Sequence, residues 1–298
     1  MIYADRRSGL LYLMPFLLGL LAFTLFPFVA SLLLSLSDYQ LQDPVGEAGF
    51  IGAANYAAMA QDPTFHRSLG VTVVYVLVTV PLKLAFALFI AFVLNFRLRA
   101  IGLFRTAYYL PSILGGSVAI AVVWRYVFAG DGLLNQALEA IGLDGVNWLG
   151  EPGYAMATIV ALRLWQFGSA MVVFLAGLQA IPDDLYEAAR LDGASLWQTF
   201  LRVTLPLLTP VIFFNFIMQM VQAFQEFNGP YIITGGGPLK STYLLPMMIY
   251  EEAFKYFDVG YASALSWALF TIIAVLTAIA FLSSKYWVFY ANERGDDA

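Results

Sequence analysis

The sequence predicts an all-α polytopic membrane protein with six transmembrane helices. Hydrophobic residues make up 61% of the 298-residue chain and charged residues only 12%, and the apolar residues come in runs longer than a soluble core helix needs. A helix crosses a bilayer with about 20 apolar residues. Residues 10–36, 106–124, 203–225 and 259–284 contain no charge, while 69–96 and 153–180 contain one each, Lys83 and Arg163. Six spans follow, at about 10–36, 69–96, 104–128, 153–180, 204–228 and 259–284, in one membrane domain covering 1–298.

The first run is too long for a signal peptide and lacks a small-residue cleavage site, so it is expected to remain as a span, with the mature chain starting at Met1. Cations set the orientation, because loops rich in Lys and Arg stay cytoplasmic. Arg6, Arg7, Arg97, Arg99, Arg105, Arg190, Arg202, Lys285 and Arg294 fall on one side of the predicted spans, and Arg67, Lys240 and Lys255 on the other. Both termini are therefore expected in the cytoplasm. Pro15, Pro27, Pro81, Pro111, Pro206 and Pro210 are expected to bend their spans. Tyr286, Trp287 and Tyr290 suit an interfacial aromatic belt. A short amphipathic piece around 133–141, bracketed by Asp131-Gly132 and Glu151-Pro152-Gly153, is expected on the outer surface.

One polar insert, 181–205, interrupts the apolar pattern. Asp184 with Glu187 reads as a capping-box helix start, and Ser195 with Gln198 repeats it. Gly193 stands between them, where a helix C-terminus favours a residue that tolerates positive φ. A short helix, a tight turn and a second short helix are predicted, on the cytoplasmic side.

Most chemistries are excluded. The net charge of −5 lies largely in outer loops and the tail, unlike a nucleic-acid binder. With no cysteine there is no disulfide and no thiolate metal site. The 235–242 segment, Gly-Gly-Gly-Pro-Leu-Lys-Ser-Thr, lacks the Gly before Lys of a phosphate loop and reads as a turn. His66 has no second ligand, and neither a Gly-x-Ser-x-Gly motif nor a Ser/His/Asp set occurs. Glu226 alone is too few carboxylates for an ion-coupled transporter, and a passive channel would need a ring of selectivity groups.

Polar residues inside a span are costly unless they line water or find partners. Gln219, Gln222 and Glu226 recur at helical spacing with Ala223 between them. That face either contacts a solute or hydrogen-bonds to another membrane subunit. Arg163, three residues before Gln166, either neutralises Glu226, meets an anionic solute group, or snorkels. Arg125 and Lys83 have the same open roles.

Glu187-Ala188-Ala189, Asp192-Gly193-Ala194 and Leu205-Pro206 with Pro210 resemble the EAA loop of ABC-importer membrane subunits. The likeness continues through Gly236-Gly237-Pro238 and the 260–266 segment that opens the last span, and the combination is similar to the carbohydrate-uptake permeases of maltose, lactose and glycerol-3-phosphate importers. The resemblance implies a type I importer permease fold in a bacterial or archaeal inner membrane. It also implies a second homologous permease, two cytoplasmic ATPase subunits that hold the ATP and Mg, and an extracytoplasmic binding protein. No cofactor is expected in this chain. Glu187, Ala188, Ala189, Asp192 and Gly193 would form the coupling element in an ATPase cleft. By analogy with the maltose relative, Trp165, Gln166, Ser169, Gln219, Gln222, Ala223 and Glu226 would line the path of a sugar or related polyol, with an anionic polyol as the alternative cargo.

Overall fold

The computed structural model describes residues 6–44, 48–96 and 100–289, with side chains from residue 12 onward. Arg97, Arg99, Tyr290 and Arg294, named above as cytoplasmic or interfacial anchors, lie outside the described residues, as do the side chains of Arg6 and Arg7. The described elements are almost wholly helical, with two isolated β-bridges.

The first run forms α1 (Arg6–Leu20), a π-helical turn (Leu21–Leu25) and α2 (Phe26–Ser35). The wide turn lies directly before Pro27, whose ring and missing N–H conflict with regular i→i−4 bonding. A second π-helical turn, Phe200–Thr204, stands in the same relation to Pro206. After α3 (Ala54–Gln61) comes α4 (Pro63–Leu94), a 32-residue helix that carries Pro81 inside it.

The expected span at 104–128 comes instead as two helices, α5 (Ile101–Leu114) and α6 (Val118–Val127), bent by 101°. Gly115 and Gly116 are poor helix formers, and the Ser117 side chain caps the new start by accepting from the Ile120 N–H at 3.3 Å. The amphipathic piece is α7 (Leu133–Ala140). Buried Asn135 anchors it, donating to the Gly130 and Val146 carbonyls and accepting from the Val146 N–H and Trp148 Nε1. The expected span at 153–180 is also divided, into α8 (Pro152–Trp165) and α9 (Gly168–Gln179), bent by 45°.

The polar insert holds α10 (Asp183–Leu191) and α11 (Leu196–Thr199), followed by α12 (Leu205–Phe224), α13 (Asn228–Ile233), α14 (Leu245–Phe254) and α15 (Val259–Trp287). Between α13 and α14, the 235–242 segment is a turn, with positive φ at Gly235 and Gly236. Among the described residues four stretches, Tyr12–Ser35, Pro63–Leu94, Leu196–Ile233 and Val259–Trp287, are long and apolar enough to cross a membrane, and the two bent pairs raise the number of candidate spans to as many as six.

The chain divides into two compact units. The first comprises Met1–His66 and Met248–Thr271. In it, Asn55 Nδ2 donates to the Ser35 and Ser37 carbonyls at 3.0 and 2.8 Å. Gly260 lets α15 begin against that same strand of backbone, since a Cβ there would lie 2.3 Å from the Ser37 oxygen. The Trp267 ring packs on Phe28 and Phe270, and its Nε1 donates to Ser31 Oγ.

This unit also gathers carboxylates. Burial first, and then Asp258, Asp62 and Glu251, hold the Glu252 carboxyl above the usual carboxylate range. The fold therefore disfavours the charged form, and stability is lost as pH rises through the interval between the unfolded and folded pKa values. In melting curves of the purified protein from about pH 4 upward, Glu252→Gln is expected to flatten the decline and raise the melting temperature at neutral pH. A variant whose curve parallels the wild type would contradict this.

The second unit comprises Arg67–Met247 and Ile272–Ala298. Its main apolar core joins Ala87, Ala91 and Leu94 of α4 to Phe167, Met171 and Phe174 around α9, and to Leu208 of α12. Apolar burial gives little drive in lipid, so close backbone approach has to supply the packing. Gly177 provides it between α9 and α12, where a Cβ would meet Val211 and Leu208 at 2.8 and 2.9 Å. Gly168 does the same toward α5, where a Cβ would lie 2.4 Å from the Tyr108 carbonyl.

Candidate functional site

The insert forms a helical hairpin. Asp184 and Glu187 do not make the expected capping box: the position before α10 is Pro182, with no side-chain cap, and Asp183 and Asp184 both fall inside the first turn. Pro182 ends the preceding turn in extended geometry, so the helix begins two residues earlier than the Asp184 pattern implies. The two acidic residues then act on the positive end of the helix dipole rather than as a cap. The second capping box is present, with the Gln198 N–H donating to Ser195 Oγ at 3.3 Å and the Ser195 N–H to Gln198 Oε1 at 2.8 Å.

Gly193 takes φ +76°, a left-handed conformation that other residues adopt only with strain. With it, the Gly193 and Ala194 N–H groups bond back to the Arg190 and Ala189 carbonyls, closing α10. Glu187 and Ala188 are exposed, Ala189 is half-buried, and Asp192 and Gly193 are exposed at the turn. Glu187 and Arg190 line a groove of about 490 Å³ with Tyr186, Phe92 and Phe200. Around the turn, Leu191, Leu196 and Trp197 stand 89%, 78% and 67% exposed.

The residues expected along a solute path are only partly brought together. Arg163 Nε lies 3.2 Å from Glu226 Oε2, and both side chains are largely buried. Of the readings open to Arg163 in the sequence, the structure shows the one in which it neutralises Glu226. Arg163 Nη1 also donates to Gln166 Oε1 at 2.9 Å, and Gln166 Nε2 donates to the Gly115 carbonyl at 2.8 Å. That second bond lies at the break between α5 and α6, where a Cβ on Gly115 would collide with the glutamine. Glu226 is not on the α12 face: the helix ends at Phe224, and the carboxylate caps the next turn by accepting from the Gly229 N–H at 3.3 Å.

Arg163 and Glu226 line a cavity of about 150 Å³ with Ser117, Gln225 and Asn228. Gln219 and Ala223 are buried on α12, whereas Gln222 and Ser169 are exposed. Trp165 is half-buried against Trp124, with ring centroids 5.7 Å apart. Arg125 donates to the Ile232 carbonyl at 3.4 Å.

Ser68, Thr72, Tyr75, Thr79 and Lys83 lie on a single face of α4 and are all buried, between 0% and 3% exposed. Thr72 Oγ1 accepts from the Leu245 N–H at 2.8 Å. Their separations of three and four residues are the signal that identifies the face in the sequence.

Residues 51–290 match the family described as binding-protein-dependent transport system inner membrane component, and the chain belongs to that family. It is a multi-pass inner-membrane protein, the permease of a binding-protein-dependent ABC importer, and a non-catalytic subunit with no cofactor of its own. It is 45% identical over 294 residues to the probable ABC transporter permease protein YesP of Bacillus subtilis, covering 97% of this chain and 94% of that one. To the lactose transport system permease protein LacF of Rhizobium radiobacter it is 34% identical over 285 residues, 93% and 94% of the two chains. The fold matches a chain of a crystal structure of a bacterial ABC transporter that imports the acidic polysaccharide alginate, with a TM-score of 0.81 over 94% of this chain and 96% of that one, at 22% identity.

Proposed function

We propose that this permease translocates a sugar or related polyol, handed over by an extracytoplasmic binding protein, and that a second permease and two cytoplasmic ATPase subunits complete the assembly. The observation that carries the ATPase contact is the hairpin tip. Leu191, Leu196 and Trp197 present a large apolar area beside the exposed Glu187 carboxylate, and such an area on a polar, capped element calls for a protein partner. Ala188, Ala189 and Gly193 keep the backbone accessible there, and Asp192 adds a second carboxylate. Both termini and the hairpin then face the cytoplasm, in keeping with the excess of cations on that side.

The carbohydrate reading draws on the relative named for lactose and on the polar residues of the interior. Of the residues expected along the path (Trp165, Gln166, Ser169, Gln219, Gln222, Ala223 and Glu226), the exposed Gln222 and Ser169 offer an amide and a hydroxyl for sugar hydroxyl groups, and the half-buried Trp165 an indole for a pyranose face. Transport proceeds by alternating access. ATP closes the ATPase pair, the loaded binding protein favours the same outward-open arrangement, and both bias one conformational equilibrium.

The assembly purified into liposomes tests this directly. ATP hydrolysis should rise when a loaded binding protein and its carbohydrate or polyol are supplied together. A response to no saccharide or polyol, or solute uptake that persists without an ATPase subunit, would overturn the reading.

A further inference from the structure

Three helix interruptions are joined by polar contacts in the second unit. The first is the bend between α5 and α6 at Gly115–Ser117, the second the bend between α8 and α9 at Gln166–Phe167, and the third the stretch Gln225–Phe227 between α12 and α13. An interrupted helix leaves backbone groups without their i→i−4 partners, and in lipid those groups have to be satisfied from within the protein. Gln166, 5% exposed, does this for the first bend, its Nε2 donating to the Gly115 carbonyl at 2.8 Å. Its Oε1 accepts from Arg163 Nη1 at 2.9 Å, and Arg163 Nε pairs with Glu226 Oε2 at 3.2 Å. Glu226 in turn accepts from the Gly229 N–H at the start of α13. The Gln166 backbone is held as well: Ser112 Oγ donates to its carbonyl at 3.1 Å and accepts from the Ser169 N–H at 2.9 Å. Both ends of the Gln166 amide are thus engaged within the chain.

The hairpin is suspended between two of these spans. α9 leads into it at Gln179, and α12 leaves it from Leu205. Gln166 stands just before the start of α9, and Glu226 just after the end of α12. The two helices pack closely through Gly177 against Val211 and Leu208. The far ends of the helices that carry the hairpin are therefore linked through Arg163, and Gln166 extends the link to the α5–α6 bend. A polar group in a low-dielectric interior is costly to leave unpaired, so a displacement at one interruption draws the other two with it.

We infer that Gln166 is a positioning residue of the transport cycle: it locks the three interruptions into one body, so that a displacement of the hairpin reaches the α5–α6 bend. The inference rests on the ATPase contact proposed above for the hairpin and extends it to the membrane interior.

The test uses the complete assembly in lipid nanodiscs and a reporter at Gly116. A Cβ there would meet nothing within 4 Å, the residue borders the cavity shared by Arg163 and Glu226, and the chain has no cysteine. Gly116→Cys therefore gives this chain a single thiol without disturbing its neighbours. Labelling of that thiol by a water-soluble maleimide is timed at rest and after ATP with vanadate has trapped the ATPase pair closed, and is scored per trapped nucleotide. In this parent the two rates should differ by about fivefold or more, the lower end of the coupling between linked sites. Gln166→Met keeps the side-chain length and loses both amide bonds, and should reduce the difference to about twofold or less. Gly115→Ala breaks the same contact from the other side. Gly115 has φ −66°, which alanine adopts freely, but its Cβ would collide with the Gln166 side chain. It should lower the difference equally, and the two changes together should lower it no further than either alone, because both act through one bond. If Gln166→Met fails to assemble, Gly115→Ala decides alone. A purely structural role would lower the melting temperature and leave the difference per trapped nucleotide at the parent value. That result overturns the inference while the importer reading stands. A parent whose labelling ignores the nucleotide would remove the ATP-driven motion itself, and both fall together.

Discussion

Glu226→Ala is expected to destabilise the permease by on the order of 2–3 kcal/mol, somewhat below the ~3–5 kcal/mol of a fully dry ion pair that loses one partner. The discount follows from the 14% and 12% exposure that the Arg163 and Glu226 side chains keep. Arg163 would remain among buried neighbours with only the Gln166 amide to receive it. The Gly229 N–H would lose its acceptor as well. Melting of the purified protein measures the effect, and a double-mutant cycle isolates the pair. Arg163→Met combined with Glu226→Ala should recover part of the loss, because the cation has gone too. Equal stability of Glu226→Ala and wild type would show that the pairing contributes nothing.

Glu187→Lys should act in the opposite way, leaving the fold intact and abolishing transport. Glu187 is exposed on α10 and has no hydrogen-bond or ion-pair partner among the described residues, so its replacement should change stability by no more than about 0.5 kcal/mol. At a docked interface, reversing a charge costs several kcal/mol, and a loss of uptake of about tenfold or more follows. ATP hydrolysis by the complex should lose its response to loaded binding protein. Normal coupled uptake by this variant would remove Glu187 from the ATPase contact.

Features governed by local chemistry were legible in the sequence. The Ser195–Gln198 box and the positive φ of Gly193 each depend on a few adjacent atoms, and each appears where the residues indicate. The apolar runs locate the helices for a similar reason, since the bilayer imposes length and composition directly. Features that depend on distant segments were not legible. Pro111 looked like the bend in the third run, yet the chain turns at Gly115–Ser117, where the Gln166 amide from the break between α8 and α9 takes up the freed Gly115 carbonyl. Glu226 fits a helical spacing on paper but lies beyond the end of α12, held by Arg163 and Gly229. Asp184 matches a cap by pattern, but Pro182 starts the helix earlier.

The interior site shows the same division. Arg163 and Glu226 are legible as charges inside predicted spans, but their contact is made by the tertiary structure. The buried face of α4 was present in the spacing of Thr72, Tyr75, Thr79 and Lys83. Threonine and tyrosine are common enough in membrane helices that only their burial separates this face from the others.

The central claim is that the hairpin around Gly193 is seated in a cytoplasmic ATPase. The chain contains no cysteine, so a single Leu191→Cys substitution gives a unique thiol at a side chain that is 89% exposed. Membrane-impermeant maleimide applied to sealed vesicles of each orientation, with and without the ATPase subunits, is the most direct measurement. The account predicts labelling only in inverted vesicles, and protection of the thiol once the ATPase subunits are bound. Labelling in right-side-out vesicles, or labelling in inverted vesicles that is indifferent to the ATPase, would contradict it.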